Sequence, residues 1–95
     1  MTAYVIVQTF VTDVEKMEEY KALAAPAVAK HGGKYLSRGG AMSHLENEWE
    51  APRVTLLEFP SAEAARTFYD SPDYQEAKAK REGAARFIMT ILEST

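Results

Sequence analysis

Four short stretches of the chain carry the apolar, β-branched and aromatic residues that predict β-strands. They are residues 3–10, 34–38, 53–59 and 86–92. A glycine pair at positions 39–40 ends the second stretch, and Pro52 comes just before the third. The segment between the first two stretches and the segment between the last two have helical character instead.

The first helical segment has apolar residues at helical spacing. Thr12 and Glu15 have the spacing of a capping box, which predicts that the helix starts there. Pro26 removes one backbone donor and is expected to kink the helix or to end its regular part. Gly32 is expected to be the left-handed residue that stops the helix. The predicted buried stripe is Val14, Met17, Tyr20 or Lys21, Ala24, Ala27 and Val28.

The second helical segment begins after the third strand, with Ser61 as its predicted cap. A break and a restart are predicted by the motif Asp70-Ser71-Pro72-Asp73, because Ser71 can cap and Pro72 suits a first helical position. The restarted helix is expected to run to about Gly83. The predicted buried stripe before the break is Ala64, Ala65, Phe68 and Tyr69.

These elements come in the order β-α-β-β-α-β, which is typical of a ferredoxin-like fold. We therefore predict a single α+β domain over residues 1–95, with a four-stranded antiparallel sheet and both helices on one face. Residues 41–52 are less regular. Met42, His44 and Leu45 could extend the second strand, and Asn47 indicates a turn.

Both faces of the predicted strands are apolar. In the first strand, Tyr4 and Ile6 lie on one side and Val5 and Val7 on the other, and the third and fourth strands repeat the pattern. Helices on one side of the sheet leave the other side uncovered, and no further element remains to cover it. We therefore predict a homodimer in which two sheets pack face to face as a dimeric α/β barrel.

The composition is that of an ordinary globular protein, with 46% hydrophobic and 26% charged residues. A net charge of -3 argues against nucleic acid as the main partner. The absence of cysteine excludes disulfides, thiolate nucleophiles and cysteine-held metal sites. No apolar run is long enough to span a bilayer, and the first residues do not resemble a signal peptide, so we expect no membrane contact and a cytoplasmic location.

Three polar residues interrupt strands that otherwise look buried, namely Gln8, Arg38 and Glu58. One interpretation is an ion pair between Arg38 and Glu58 at a sheet edge. The alternative is that all three line a pocket between sheet and helices, where a few polar groups orient a small ligand. Arg38 would then suit a carboxylate or a phosphate.

The chain has two histidines. His31 lies at the predicted end of the first helix, where a structural role is favoured over a catalytic one. His44 lies in the irregular segment and is the freer of the two. Neither belongs to a metal-binding motif, so we predict no metal and no cofactor.

The segment around the predicted helix break offers further polar groups. One interpretation is structural, with Ser71 as a helix cap and with Tyr69 and Tyr74 as core aromatics. The alternative is a small anion site at the start of the helix. Trp49 has the character of an exposed loop residue that packs on a partner subunit or covers a pocket. A basic stretch, favoured as a solvated helix face, comprises Lys78, Lys80, Arg81 and Arg86.

A set of short motifs is spread over the whole chain. They are His31-Gly32-Gly33-Lys34-Tyr35-Leu36, Arg38-Gly39-Gly40, Glu58-Phe59-Pro60-Ser61 and Ser71-Pro72-Asp73-Tyr74-Gln75, together with Tyr20, Leu45-Glu46, Arg53, Ala64-Ala65, Tyr69 and Arg81. In combination they closely resemble a bacterial family known as domain-of-unknown-function family 1330. The resemblance implies a ferredoxin-like fold of the dimeric α/β-barrel type and no settled activity. As site candidates it implies Arg38, Glu58, Ser71, Tyr74 and Arg81.

Three functional hypotheses follow. The chain binds or converts a small anionic organic ligand in a pocket between sheet and helices, or it is a non-catalytic dimeric structural or interaction module. By analogy with other proteins of the fold, it is alternatively a monooxygenase-like or haem-binding protein with a histidine directed into the pocket. The candidate ligand-binding residues are Gln8, Arg38, His44, Glu58, Tyr69, Ser71, Tyr74 and Arg81, and no catalytic residue is assigned.

Overall fold

The computed structural model describes residues 1–95 and contains four strands and three helices. The predicted order β-α-β-β-α-β is confirmed, with the second helical segment divided into two helices. The elements are β1 (Ala3–Val11), α1 (Val14–Lys30), β2 (Lys34–Arg38), β3 (Arg53–Phe59), α2 (Ala62–Asp70), α3 (Pro72–Lys80) and β4 (Ala85–Glu93). None of the helices combines the length and the apolar character that crossing a membrane requires.

The strands form one open antiparallel sheet in the order β2-β3-β1-β4. This is the ferredoxin-like α+β arrangement that the sequence predicts. The outer strands β2 and β4 do not pair with each other, so the sheet of one chain is not a closed barrel. Among the helices, α1 packs mainly against α3, while α2 lies against β1, β3 and β4.

One face of the sheet lies under the helices and the other has no cover within the chain. Val5 pairs with Leu57 and Ile91, and this row belongs to the core. The next row, in which Ile6 pairs with Leu56, points the opposite way because side chains alternate along a strand. The uncovered face is mostly apolar, as the strand parities predict, and carries Tyr4, Ile6, Phe10, Val54, Leu56, Ile88 and Leu92.

Three aromatic side chains close the core between the sheet and the helices. Phe59, Phe68 and Tyr74 are the largest fully buried side chains. The Phe68 ring centroid lies 5.1 Å from that of Phe59 and 4.6 Å from that of Tyr74. Burial of one such side chain stabilises the folded state by about 1.5–3 kcal/mol. The cluster therefore fixes α2 and α3 on the sheet.

One prediction about α1 is wrong. Asp13 caps the helix in place of Thr12, and its carboxylate accepts a hydrogen bond from the Lys16 N–H at 3.2 Å. The Thr12 hydroxyl is occupied elsewhere, because it donates to the Ala84 carbonyl at 3.0 Å. Of the two alternatives predicted for Pro26, the structure excludes an end of the helix at that residue, because the helix continues to Lys30. Pro26 lies on the exposed side of the helix, where water can hydrate the carbonyl that loses its partner.

The remaining boundary predictions are confirmed in part. Gly32 has a φ of 81°, which confirms the left-handed end of α1. The helix α3 ends at Lys80, short of the predicted Gly83, because the chain turns there to begin β4. Residues 42–45 do not extend β2, since no residue of β3 lies opposite them. Asn47 has a φ of 55°, in agreement with the predicted turn.

One buried hydroxyl holds the break between α2 and α3, at the position that the sequence predicts. Ser71 is 7% exposed, accepts from the Tyr74 N–H at 3.2 Å and donates to the Phe68 carbonyl at 2.7 Å. Pro72 occupies the first helical position of α3. A single side chain therefore ends one helix and starts the next, which directs Tyr74 into the core.

We predict that Ser71→Ala destabilises the protein more than Ser61→Ala. The Ser61 hydroxyl accepts one hydrogen bond, from the Ala64 N–H at 3.0 Å, whereas the Ser71 hydroxyl makes two. Loss of a cap costs about 1 kcal/mol, and a buried polar group left without its partner costs about 1–3 kcal/mol. Urea unfolding curves measure both values, with the exposed Ser43→Ala as a control. Equal destabilisation by the two cap variants would contradict the double role of Ser71.

Candidate functional site

A small cavity lies between the sheet and the helices, and we call it the inner cavity. Its volume is about 50 Å³, which is enough for a few water molecules. The apolar lining is Val7, Met17, Ala24, Val28, Leu57, Phe68, Phe87 and Met89. The polar lining is Thr9, Tyr20, Lys21, Tyr35, Arg38, Arg53, Thr55 and Tyr74. The cavity therefore combines cationic and hydroxyl groups with an apolar floor.

The charged residues of the inner cavity are all cations. Lys21, Arg38 and Arg53 line it, and no aspartate or glutamate does. The Lys21 ammonium lies 3.6 Å from the Glu18 carboxylate, whereas neither arginine takes part in an ion pair. Two guanidinium groups without a counter-charge make the cavity attractive to an anion.

Backbone geometry positions both arginines. Arg38 is the last residue of β2, and its guanidinium lies 4.1 Å from the centre of the Tyr35 ring. Arg38 lies opposite Thr55, so Arg53, two residues earlier on β3, projects from the same face. Gly39 has a φ of 69°, and a Cβ atom there would lie 2.7 Å from the Arg53 guanidinium. Glycine therefore serves both the turn and the placement of Arg53.

Two tyrosine hydroxyls meet in the wall that α1 and α3 form. The hydroxyl oxygens of Tyr20 and Tyr74 are 2.9 Å apart, and the two rings pack edge to face. The Tyr74 hydroxyl oxygen also lies 3.4 Å from the Met89 sulfur. Arg81 donates to the same oxygen from Nη2 at 3.4 Å. A single hydroxyl thus connects α1, α3 and β4.

Burial favours the protonated form of two tyrosines at the inner cavity, Tyr20 and Tyr35. Desolvation raises the pKa of Tyr20 well above its ordinary value of 10.0, the neighbouring Tyr74 raises it further, and Arg81 opposes both effects. Desolvation also raises the pKa of Tyr35, and there Arg38 acts in the opposite direction. At neutral pH these phenols are therefore hydrogen-bond donors rather than bases.

Arg81 is the only buried charged side chain, with 9% of its surface exposed. Its guanidinium lies 3.8 Å from the centre of the Phe87 ring and 5.5 Å from that of Tyr20. It takes part in no ion pair, and its buried Nε has no hydrogen-bond partner. Cation–π contacts contribute about 0.5–2 kcal/mol each, which offsets only part of the cost of burying a charge. The prediction that Arg81 belongs to a solvated helix face is wrong, because its side chain is buried against Phe87.

A larger groove runs between α2, the end of α3 and β4, and we call it the lateral groove. Its volume is about 600 Å³. It is lined by Val5, Ala65, Arg66, Phe68, Tyr69, Asp70, Lys78, Arg81, Phe87, Met89, Thr90 and Ile91. Phe68, Phe87 and Met89 line both cavities, so they form the wall between them.

The structure separates the predicted ligand-binding residues. Arg38 and Tyr74 line the inner cavity, while Tyr69 and Arg81 line the lateral groove. Ser71 is occupied as a helix cap, and the Tyr74 N–H that an anion would use is already bonded to it. The start of α3 therefore offers no free donor at that position.

Gln8 and Glu58 point away from the helices. The β1–β3 register places both in the rows that alternate with the buried rows, on the uncovered face. The expectation that they line a pocket under the helices is wrong for this reason. The predicted ion pair between Arg38 and Glu58 is also wrong, because Lys34 lies next to Glu58 in the sheet and binds it at 3.1 Å.

Neither histidine lines the inner cavity. His44 is exposed between β2 and β3, and Trp49 in the same segment is 49% exposed. His31 follows the end of α1, its ring lies edge to face with Phe68 at 6.2 Å, and its buried Nε2 has no partner. No three histidine, aspartate or glutamate side chains gather as a metal site requires.

The sequence interpretation does not identify Lys21, Tyr35 and Arg53 as members of a site. The position of Arg53 beside Arg38 could have been predicted from the pairing of β2 with β3. Once β2 and β3 are paired as a hairpin, Arg38 and Arg53 fall on one face near the end of the pair. Lys21 and Tyr35 carry no such signal, because their position depends on how α1 packs on the sheet.

One comparison with known proteins identifies a family. The family model described as "Domain of unknown function (DUF1330)" matches residues 2–95 of the chain. No curated protein matches the sequence.

Several solved structures share the fold over almost the whole chain. A protein of unknown function from Rhodopseudomonas palustris has 20% identity and a TM-score of 0.76, covering 99% of this chain and 82% of that one. A dimeric ferredoxin-like protein of unknown function from Jannaschia sp. CCS1 has 15% identity and a TM-score of 0.66, covering 99% and 100%. The cofactor-independent oxygenase SnoaB from Streptomyces nogalater has 11% identity and a TM-score of 0.66, covering 99% and 93%. At such identities the likeness establishes the fold alone.

We predict that the stability of the protein falls as the pH rises above about 10, and that Tyr20→Phe reduces this fall. The folded state keeps the Tyr20 proton where the unfolded chain releases it, so rising pH favours unfolding. The contribution of Tyr20 is about 1.4 kcal/mol per pH unit above its ordinary pKa. Urea unfolding at about pH 9 and about pH 11 measures it. The same slope in the variant and the wild type would contradict the assignment.

Proposed function

This chain belongs to the DUF1330 family, whose description names no activity. We propose from the lining of the inner cavity that the protein binds a small organic anion there. The observation that carries the proposal is the charge of the lining. Arg38, Arg53 and Lys21 share the cavity with no carboxylate. An anion that enters supplies the missing counter-charge.

The uncharged groups of the inner cavity favour a carboxylic acid with a small body. A guanidinium donates two parallel hydrogen bonds to a carboxylate, which suits Arg38 and Arg53. The protonated phenol of Tyr35 can donate to a second oxygen, such as a carbonyl, whereas the Tyr20 hydroxyl is already bonded to that of Tyr74. The volume of about 50 Å³ limits the ligand to a few heavy atoms.

The lining of the inner cavity has no side chain suited to proton transfer at neutral pH, so we propose binding and no reaction. Cations and neutral donors around a bound acid would stabilise negative charge that develops on it, as on an enolate. Proton transfer at neutral pH requires a suitable acid or base, and no histidine, aspartate or glutamate lines the cavity. The oxygenase activity of the Streptomyces protein belongs to a relative with 11% identity, so it carries no argument here.

We predict that pyruvate binds more tightly than its neutral amide, pyruvamide, and that Arg38→Gln and Arg53→Gln each weaken pyruvate binding. A hydrogen bond to a charged group contributes about 1.5–3 kcal/mol, so each loss should be about tenfold or more. Titration followed by NMR amide shifts measures both affinities. The matched control is Lys80→Gln, which removes one positive charge from an exposed position in neither cavity.

Three outcomes would contradict this function. Pyruvate and pyruvamide could bind equally, the two arginine variants could match Lys80→Gln, or the amide shifts could lie outside the inner cavity. Native mass spectrometry of the purified protein is a second measurement, because it shows whether a small acid co-purifies.

We also propose that the uncovered face of the sheet packs against the same face of a second copy. Leu56 and Ile6 lie at the centre of this face, on the two central strands, and the chain has no element to cover them. A dimeric relative with the same fold supports a pairing of this kind. Two antiparallel sheets packed in this way would form the dimeric barrel, with Gln8 and Glu58 inside or at the rim of the interface.

We predict that Leu56→Glu converts a dimer of the chain into a folded monomer. A carboxylate at the centre of the interface would be buried without a partner, which costs several kcal/mol. Light scattering on a sizing column gives the mass, and circular dichroism checks the fold. Leu45→Glu, at a loop residue that is 98% exposed, should keep the dimer. A monomeric wild-type protein at micromolar concentration would contradict the proposal.

A further inference from the structure

The lateral groove is large enough for a ligand of its own. Its volume of about 600 Å³ lies within the range of small-molecule pockets. It lies beside β4, the edge strand of the sheet, where the helices leave a corner uncovered. Its apolar lining includes Val5, Phe68, Phe87, Met89 and Ile91.

Arg81 points to the chemistry of that ligand. It is the only buried charged side chain, it takes part in no ion pair, and its Nε is buried without a partner. Its polar contact is with the hydroxyl of Tyr74, and its other contacts are with aromatic rings. A guanidinium remains charged at physiological pH, so its surroundings lack an anion.

The rim of the lateral groove restricts the charge of the ligand. Arg66 and Lys78 add to the positive charge of Arg81, while Asp70 is the one carboxylate in the lining. The Lys78 ammonium lies 5.2 Å from the centre of the Tyr69 ring and takes part in no ion pair. Three cations and one carboxylate leave a net positive charge, which complements an organic anion, whereas a polyanion would place charge against Asp70.

We infer that the lateral groove binds an amphipathic organic acid, with its carboxylate on Arg81 and its hydrocarbon body on the apolar lining. The planar guanidinium fits a carboxylate, and the row of apolar side chains fits a body much larger than the inner cavity admits. This site goes beyond the proposed function. Arg81 does not line the inner cavity, and the two cavities share only the wall of Phe68, Phe87 and Met89.

Octanoate and 1-octanol test the inference, because they share a hydrocarbon chain and differ in charge. Titration of the intact protein, followed by NMR amide shifts, should show octanoate binding about tenfold or more tightly than 1-octanol. The shifts should lie along α2 and β4, around Ala65 and Ile91, which line only the lateral groove.

Two variants locate the charge that the acid meets. Arg81→Gln should weaken octanoate by about tenfold or more and leave 1-octanol unchanged. Lys78→Gln, at the rim, should weaken octanoate by about threefold and tests the site even if Arg81→Gln fails to fold. Lys80→Gln should change neither affinity, since Lys80 is exposed and lines neither cavity.

The outcomes separate this inference from the proposed function. Arg38→Gln should weaken pyruvate and leave octanoate unchanged, because Arg38 lines only the inner cavity. Equal affinity for octanoate and 1-octanol would overturn the inference. So would octanoate shifts confined to the inner cavity or to the uncovered face, or a folded Arg81→Gln variant that retains full octanoate affinity.

Discussion

The fold and both cavities depend on the burial of Tyr74 with its hydroxyl group still partnered. That oxygen lies within hydrogen-bonding distance of Tyr20 from α1, Met89 from β4 and Arg81 at the end of α3. A buried hydroxyl without partners would cost about 1–3 kcal/mol, so the three elements are favoured in one relative position. Ser71 makes this arrangement possible, because the break that it caps turns α3 and directs Tyr74 inward.

The same packing divides the space under the helices into two cavities of different character. Phe68, Phe87 and Met89 stand between a cavity of about 50 Å³ and a groove of about 600 Å³. On one side Arg38 and Arg53 lie near the end of the β2–β3 pair, and on the other Arg81 is buried beside β4. Each side therefore has cationic groups over apolar side chains, in spaces that suit molecules of different size.

The sequence predicts a structural element well where a residue type strongly favours one local conformation. Ser71 before Pro72 predicts a helix break, and Gly32 predicts a left-handed helix end. The sequence predicts less where a polar side chain could bind several partners, or could be either buried or exposed. Glu58 binds Lys34, its neighbour across the sheet, and the burial of Arg81 depends on packing that no local pattern encodes. The site is consequently less predictable than the fold, because it depends on which residues several elements bring together.

The net charge of -3 is unevenly distributed, because the cations are concentrated in these two cavities. Six of the 11 lysines and arginines line one cavity or the other, whereas of the 14 acidic residues only Asp70 does. The rest of the molecule is therefore far more acidic than the average suggests. Two such molecules repel each other in dilute buffer while each retains a local attraction for small anions, and added salt screens both effects. Ionic strength should therefore act in opposite directions on self-association and on anion capture.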